Sequence, residues 1–261
     1  MDALKRSLIE KAGHDFGFEY TVSETPESIT LGSARHPLHV EIALAASNFR
    51  LHFGNAKHQL LNELKRDFPL HDREILSDSV NSMAVVFKRA AALAHALPNQ
   101  AENDFGSALT AELNKLPEGV KNTEVERIVR QRVGQDTYRK AMLEYWGGAC
   151  AVTGVAMPEV LRASHALPWA ECESDAQRLD VFNGFLLTAN LDALFDRFLI
   201  SFDSNGIVLI AEDISENDRE FLGLHSNLSL RWVANQHEPY LAQHRLRLKA
   251  RQTKNSQGGS E

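Results

Sequence analysis

Cysteine is nearly missing from this chain of 261 residues: only Cys150 and Cys172 occur, and they form no Cys-x-x-Cys pair. That rules against a disulfide scaffold, and no structural zinc is expected. Long apolar runs are missing too, since none approaches the about eighteen residues needed to cross a bilayer. The first fifteen residues carry charges throughout. MDALKRSLIEKAGHDF therefore reads as an amphipathic helix and not a signal peptide, with no membrane partner and the cytoplasm as the expected compartment. A positive excess is also lacking. The net charge of −7 looks wrong for a polyanionic partner, because phosphate binding is dominated by Lys and Arg.

The distribution of charge matters more than its sum. Lys and Arg against Asp and Glu number 12 to 15 in residues 1–117, 6 to 4 in 118–140, 4 to 14 in 141–230 and 6 to 2 in 231–261. An acidic block thus lies between two basic ones, as suits a metal-binding core with phosphate-contacting flanks. The 43% hydrophobic and 24% charged fractions are those of a globular chain, and the length suits two domains.

After the first helix, FEYTVSE, SITLGS, LHVEIALA and NFRLHFG read as short strands separated by turn residues. Leu38 to Ile42 and Phe49 to Phe53 alternate apolar and polar, the period of half-buried antiparallel strands. From about Ser77 to Leu97 the spacing turns helical through Val80, Met83, Ala84, Phe87, Ala90 and Ala91. Pro98-Asn99 ends that helix, and another is expected from Ala101 to Leu116. Pro117-Glu118-Gly119 is the expected boundary. Residues 1–117 therefore read as an α+β domain, 118–254 as a second domain and 255–261 as a disordered tail.

Past the boundary, Glu124 to Val133 and Thr137 to Trp146 read as two helices joined at Gly134 and stopped by Gly147-Gly148. Ala149 to Gly154 reads as a strand and turn, and Leu161 to Trp169 as a strand that ends at His165. A polar loop, Glu171 to Asp180, leads to Asn183-Gly184 and apolar Phe185-Leu186-Leu187. Asn190 is expected to cap a short helix from Leu191 to Phe198. Leu199 to Ile210 is a hairpin around Asn205-Gly206. The segment His244-Arg245-Leu246-Arg247-Leu248-Lys249-Ala250-Arg251 reads as an amphipathic basic helix that folds back and offers charge outward.

His165, Asn183, Asp192 and Asp196 are the residues that could converge on chemistry. Asp192 and Asp196 stand i and i+4, so a helix puts both carboxylates on one face. Two hard oxygen donors suit Mg²⁺, which is held by one or two carboxylates plus water and substrate phosphate. A histidine beside such an ion can take a proton from water near neutrality. An asparagine can hold the loop and ring in place, since its amide both donates and accepts.

From Arg132 through Ile210 the chain resembles the HNH, or ββα-metal, endonuclease family. The resembling text is Arg132-x-Gly134-Gln135-x-x-Tyr138-Arg139, Cys150-Ala151-Val152-Thr153-Gly154, Ser164-His165-x-x-Pro168-Trp169, Asn183-Gly184-Phe185-Leu186-Leu187 and Leu191-Asp192-x-x-Phe195-Asp196-Arg197. The resemblance implies an α+β fold in which a ββα-metal domain with flanking helices follows the N-terminal unit. It makes His165 the general base and Asn183 the residue that orients it. Asp192 falls at the last motif position, a metal ligand, and Asp196 at a second helix ligand. Ser164 stands where many members have another ligand. An aspartate at 192 favours a hard ion, Mg²⁺ or Mn²⁺, over zinc. Thr153 stands where a Cys-x-x-Cys partner of Cys150 would be, so packing by Met142, Leu143, Tyr145, Trp146, Phe185, Leu187, Leu194 and Phe195 must hold the motif together. Arg132, Arg139, Arg162 and Arg197 are the expected phosphate contacts.

The activity so implied is metal-dependent DNA hydrolysis by a bacterial restriction nuclease, a modification-dependent one included, or a phage-defence nuclease. Residues 1–117 would recognise the target, and cutting both strands with one site per chain would call for a homodimer or for sequential nicks. The alternative is a non-catalytic DNA-binding or sensor protein with a degenerate HNH fold.

Overall fold

The structure is a computed structural model and describes residues 1–98, 100–117 and 123–258, with side chains up to 253. It is of mixed α+β class. The chain divides into two compact units, Met1–Gln100 and Ala101–Glu261. The sequence boundary expected at Pro117-Glu118-Gly119 lies, from 118 on, outside the described residues. No described helix is long and apolar enough to cross a membrane.

In the first unit, helix α1 (Ala3–Asp15) is capped by Asp2, whose carboxylate accepts from the Lys5 N–H at 2.8 Å. A six-stranded antiparallel sheet follows in the order β1-β2-β3-β4-β6-β5. Its strands are β1 (Tyr20–Glu24), β2 (Ser28–Gly32), β3 (Val40–Ala45), β4 (Asn48–His52), β5 (Leu70–His71) and β6 (Glu74–Ser77). Alternation puts Ile29, Leu31, Val40, Ile42, Phe49, Leu51 and Ile75 inside. Helices α2 (His58–Asp67) and α3 (Val80–Ala96) complete the unit. The first four strands and α3 lie where periodicity puts them, whereas α2 and the β5–β6 hairpin have no counterpart in the sequence reading.

The second unit opens with α4 (Gln100–Asn114) and α5 (Thr123–Tyr145). Helix α5 is continuous, where two helices joined at Gly134 were expected. A Cβ on Gly134 would stand 2.3 Å from the Trp169 ring, so this glycine admits an indole against the helix and does not break it. Gly147 and Gly148, at φ +65 and +73, end the helix. Residues 151–153 are a turn, not the expected strand.

Strand β7 (Leu161–His165) instead pairs antiparallel with β8 (Gly184–Thr188), His165 opposite Gly184. Between them lie a 3₁₀ turn at Trp169–Glu171 and helix α6 (Asp175–Arg178). Helix α7 (Ala189–Asp196) follows β8 directly, preceded by Thr188, with Asn190 inside the helix and not capping it. The expected hairpin is β9 (Ile200–Phe202) against β10 (Val208–Ile210), with Gly206 at φ +83. Helices α8 (Glu216–Phe221) and α9 (Glu238–Gly258) close the chain. Residues 255–258, expected to be disordered, continue α9, and 259–261 lie outside the described residues.

The core of this unit is aromatic. Tyr138, Tyr145, Trp146, Phe182, Phe185, Phe195 and Phe202 are fully buried, and Met142, Leu187 and Leu194 join them. Leu143 is only half-buried. This cluster fixes α5, the β7–β8 pair and α7 around one another, with Cys150 and Cys172 buried as free thiols.

Candidate active site

Strand geometry places successive side chains on opposite faces, so Ser164 and His165 at the end of β7 face different ways. Three neighbours hold the His165 ring. Tyr138 of α5 stacks on it with centroids 3.8 Å apart, and Trp169 meets it edge-on at 5.7 Å. Its Nε2 lies 2.9 Å from the Arg178 carbonyl oxygen. A carbonyl can only accept, so Nε2 carries the hydrogen and Nδ1 keeps its lone pair. Burial pushes this imidazole down to about 4, which keeps it neutral at ordinary pH.

Asn183 is wholly buried and does not touch the ring. Its Oδ1 accepts from the Leu167 N–H at 2.8 Å, and its Nδ2 donates to the Gln177 and Leu167 carbonyls at 3.1 and 3.3 Å. Its own carbonyl accepts from the Ala166 N–H at 3.0 Å and from the Tyr138 hydroxyl at 3.1 Å. Asn183 therefore staples the loop that follows His165 to the strand that precedes α7. Arg178 stitches the same loop, with Nε donating to the Trp169 carbonyl at 3.2 Å and Nη2 to that of Cys172. The backbone oxygen of Arg178 is thus held where it can meet Nε2.

Asp192 and Asp196 lie one turn apart on α7, across the cleft from the histidine's loop. Ser164, 2% exposed, donates its hydroxyl to Asp196 Oδ1 at 3.1 Å, and its dipole also favours the charged form of Asp192. Loss of water raises both carboxyls above the usual aspartate range, and the charge of Asp192 raises Asp196 further. A cation between them would relieve that repulsion.

The residues meet at an open cleft of about 600 Å³ lined by His165, Asp192, Asp196, Arg139 and Arg162, with Trp169 and Phe198 on its walls. Arg139 donates to the Leu161 and Pro158 carbonyls at 2.7 and 2.8 Å, and Arg162 to those of Leu161 and Glu159 at 2.9 and 3.0 Å. Arg197 is exposed and donates to the Ala193 carbonyl at 3.1 Å, close enough for its charge to act on both carboxylates. Arg132 is exposed on α5 and does not line the cleft.

Among the described residues, no group of three or more His, Cys, Asp or Glu is arranged to hold a metal. Two carboxylates and a hydroxyl are hard oxygen donors. They fit an ion that keeps much of its water, as Mg²⁺ does, and do not fit the four protein ligands of structural zinc.

Residues 150–203 match the HNH endonuclease family. The matched stretch runs from the Cys150 turn through β7, the stapled loop, β8 and α7 to the start of the β9–β10 hairpin. It therefore contains His165, Asn183, Asp192 and Asp196, whereas Tyr138 lies outside it. No curated protein matches the chain. An HNH endonuclease segment points to nuclease activity, to DNA as substrate and to use of a divalent metal.

Three contributors to the site were not assigned roles from sequence. Tyr138 lies within a recognised motif, but nothing local says that its ring meets His165. Arg178 acts through its carbonyl, which leaves no side-chain signature. Gly184 looks like half of an Asn-Gly turn, yet its lack of a Cβ is what lets β8 lie against β7. Flanking charge also differs from expectation. On α9, Arg245 pairs with Glu238, Arg247 with Glu171 and Arg251 with Asp213, so these three arginines bind the unit together and are not offered outward. The acidic loop takes Arg130 and Arg178 on Asp175.

Proposed function

We propose that this chain is a metal-dependent DNA endonuclease in which one cleft joins a neutral, oriented histidine to a pair of neighbouring carboxylates. The supporting observation is the His165 tautomer: with Nε2 tied to the Arg178 carbonyl, Nδ1 is the nitrogen left to take a proton. Tyr138 and Asn183 act as positioning residues, the first through the stacked ring and the second through the loop. Arg139 and Arg162 draw the phosphodiester into the cleft, with Arg197 adding charge at its edge and Arg132 contacting the backbone farther along. Water gives a proton to His165 Nδ1 and its oxygen attacks phosphorus. The P–O3′ bond breaks, leaving a 5′-phosphate and a 3′-hydroxyl that takes its proton from solvent. Asp192 and Asp196 would hold Mg²⁺ or Mn²⁺, with Ser164 orienting the Asp196 carboxylate, and a bound ion would supply stabilisation of negative charge on the phosphate and on the departing oxygen.

Host restriction, against modified DNA or phage, is the role this reading favours, with the N-terminal α+β unit recognising the target and a homodimer cutting both strands. Among the described residues no third acidic or imidazole donor joins the carboxylate pair, which favours the rival, a DNA-binding protein that keeps the HNH fold without catalysis. Plasmid incubated with the full chain separates the two. The nuclease produces nicked or linear DNA with Mg²⁺ or Mn²⁺, none with EDTA, and ends that a ligase rejoins without prior phosphorylation. Intact plasmid under every metal condition, with binding retained, would establish the rival.

A further inference from the structure

The turn that ends α7 carries a residue its backbone disfavours. The Phe198 N–H donates to the Phe195 carbonyl and the Leu199 N–H to the Leu194 carbonyl, each at 2.9 Å, the paired bonds of a Schellman cap. Phe198 occupies the left-handed position of that cap, at φ +55. Glycine ordinarily takes this position, because a Cβ there crowds the following carbonyl. A bulky side chain with positive φ is a genuine outlier.

The ring serves the core only in part. Phe198 is half-exposed, unlike the buried Phe195 and Phe202 on either side of it, and it lines the cleft that contains His165, Asp192 and Asp196. Its back is braced. The His244 ring lies 4.9 Å away, and the Arg247 guanidinium sits 5.5 Å from its centroid. His244 in turn holds the cap, since its Nε2 donates to the Phe195 carbonyl at 3.1 Å while Nδ1 accepts from the Ser201 hydroxyl at 3.0 Å. An aromatic ring is thus fixed at the cleft wall, two residues past Asp196, where the turn itself would be easier with glycine. Trp169 lines the same cleft, but its contacts with Gly134, His165 and Arg178 account for it as packing.

We infer that Phe198 is a substrate-contacting residue that stacks on a nucleobase next to the phosphodiester held at His165 and the carboxylates. The inference rests on the nuclease reading for the identity of that substrate. Stacking of this kind is tolerant of sequence, because every base offers a π-face. It requires a base free of its own stack, so the cleft should favour single-stranded or locally unpaired DNA over a continuous duplex.

The test uses the full chain in the His165→Ala background, which slows turnover enough for binding to be read. Fluorescence anisotropy reads binding of a short labelled single-stranded oligodeoxynucleotide and of its abasic counterpart, and thermal melting reads stability. Phe198→Gly and Phe198→Asn both keep the left-handed turn. They should leave Tm unchanged or raise it by about 2–4 °C, while weakening binding of the base-bearing strand by roughly tenfold or more. Binding of the abasic strand should not change, and Phe198→Trp should restore base-dependent affinity. A large fall in Tm for both variants would make the ring a packing element, and unchanged affinity for the base-bearing strand would remove the contact. Either result overturns the inference. Failure of the nuclease reading appears separately, as a wild-type chain that binds with base dependence yet cuts nothing in Mg²⁺.

Discussion

Replacing His165 by alanine should slow DNA cleavage by about 10² to 10⁴-fold, the usual contribution of a positioned general base, with little change in fold. The ring lies at the cleft and not in the centre of the aromatic core. Its removal takes away one hydrogen bond, to the Arg178 carbonyl, and two ring contacts, stacked with Tyr138 and edge-on with Trp169. The lost hydrogen bond is worth about 1 kcal/mol, so Tm should fall by only a few degrees. The loss in rate is far larger because, among the described residues that line the cleft, His165 is the only imidazole, and Asp192 and Asp196 are engaged with each other's charge and with Ser164. Imidazole added to the variant should recover part of the rate by entering the space between Tyr138 and Trp169. Single-turnover rates on one labelled DNA, with and without imidazole, read both effects. A variant as fast as wild type would remove His165 from the chemistry.

Gly184→Ala should be the most damaging single methyl group in the second unit. A Cβ there would lie 1.9 Å from the Ser164 carbonyl oxygen, 2.9 Å from its carbon and 2.6 Å from the Tyr138 hydroxyl. The residue also stands at φ +153, where a side chain is strained. The nearest atom is backbone of the partner strand, so it cannot rotate away as the end of a flexible side chain could. Relief requires β7 and β8 to separate at the pair His165–Gly184. The cost should exceed about 3 kcal/mol, a fall in Tm on the order of 10 °C. Where the variant still folds, displacement of His165 by about 1 Å should cost roughly 10²-fold in rate. Thermal melting and cleavage at a temperature below the variant's Tm test the two parts. A variant that melts and cuts like wild type would mean that β8 does not approach β7 this closely.

Much of this fold could be read from local pattern. Leu38 to Ile42 and Phe49 to Phe53 alternate strictly, and Asn205-Gly206 marks its hairpin, because strand period and turn chemistry are local properties. What escaped reading depends on distant partners. Gly134 resembles a helix breaker until Trp169 is known to lie against it. Ala149 to Gly154 has the apolar character of a strand, but β8 takes the pairing and leaves that segment as a turn. The arginines of α9 look free in a charge count, yet Glu171 and Asp213 are folded against Arg247 and Arg251, and Arg245 donates to the Phe202 carbonyl while pairing with Glu238 of its own helix. At the site, the side chains of His165, Asn183, Asp192 and Asp196 have types and spacing that a sequence can display. The carbonyl of Arg178, the stacked face of Tyr138 and the left-handed turn at Phe198 are conformational facts with no residue-type signature.

The central claim is that His165 and the carboxylate pair work as one cleft. A double-mutant cycle on single-turnover cleavage tests it most directly, comparing wild type, His165→Ala, Asp192→Asn with Asp196→Asn, and all three changes together, each verified by melting. Groups that act as a unit lose their effect together, so the account predicts that either half alone reduces cleavage to near background and that their combination adds little. Wild-type cleavage that survives removal of either half, or losses that multiply as independent contributions, would contradict it.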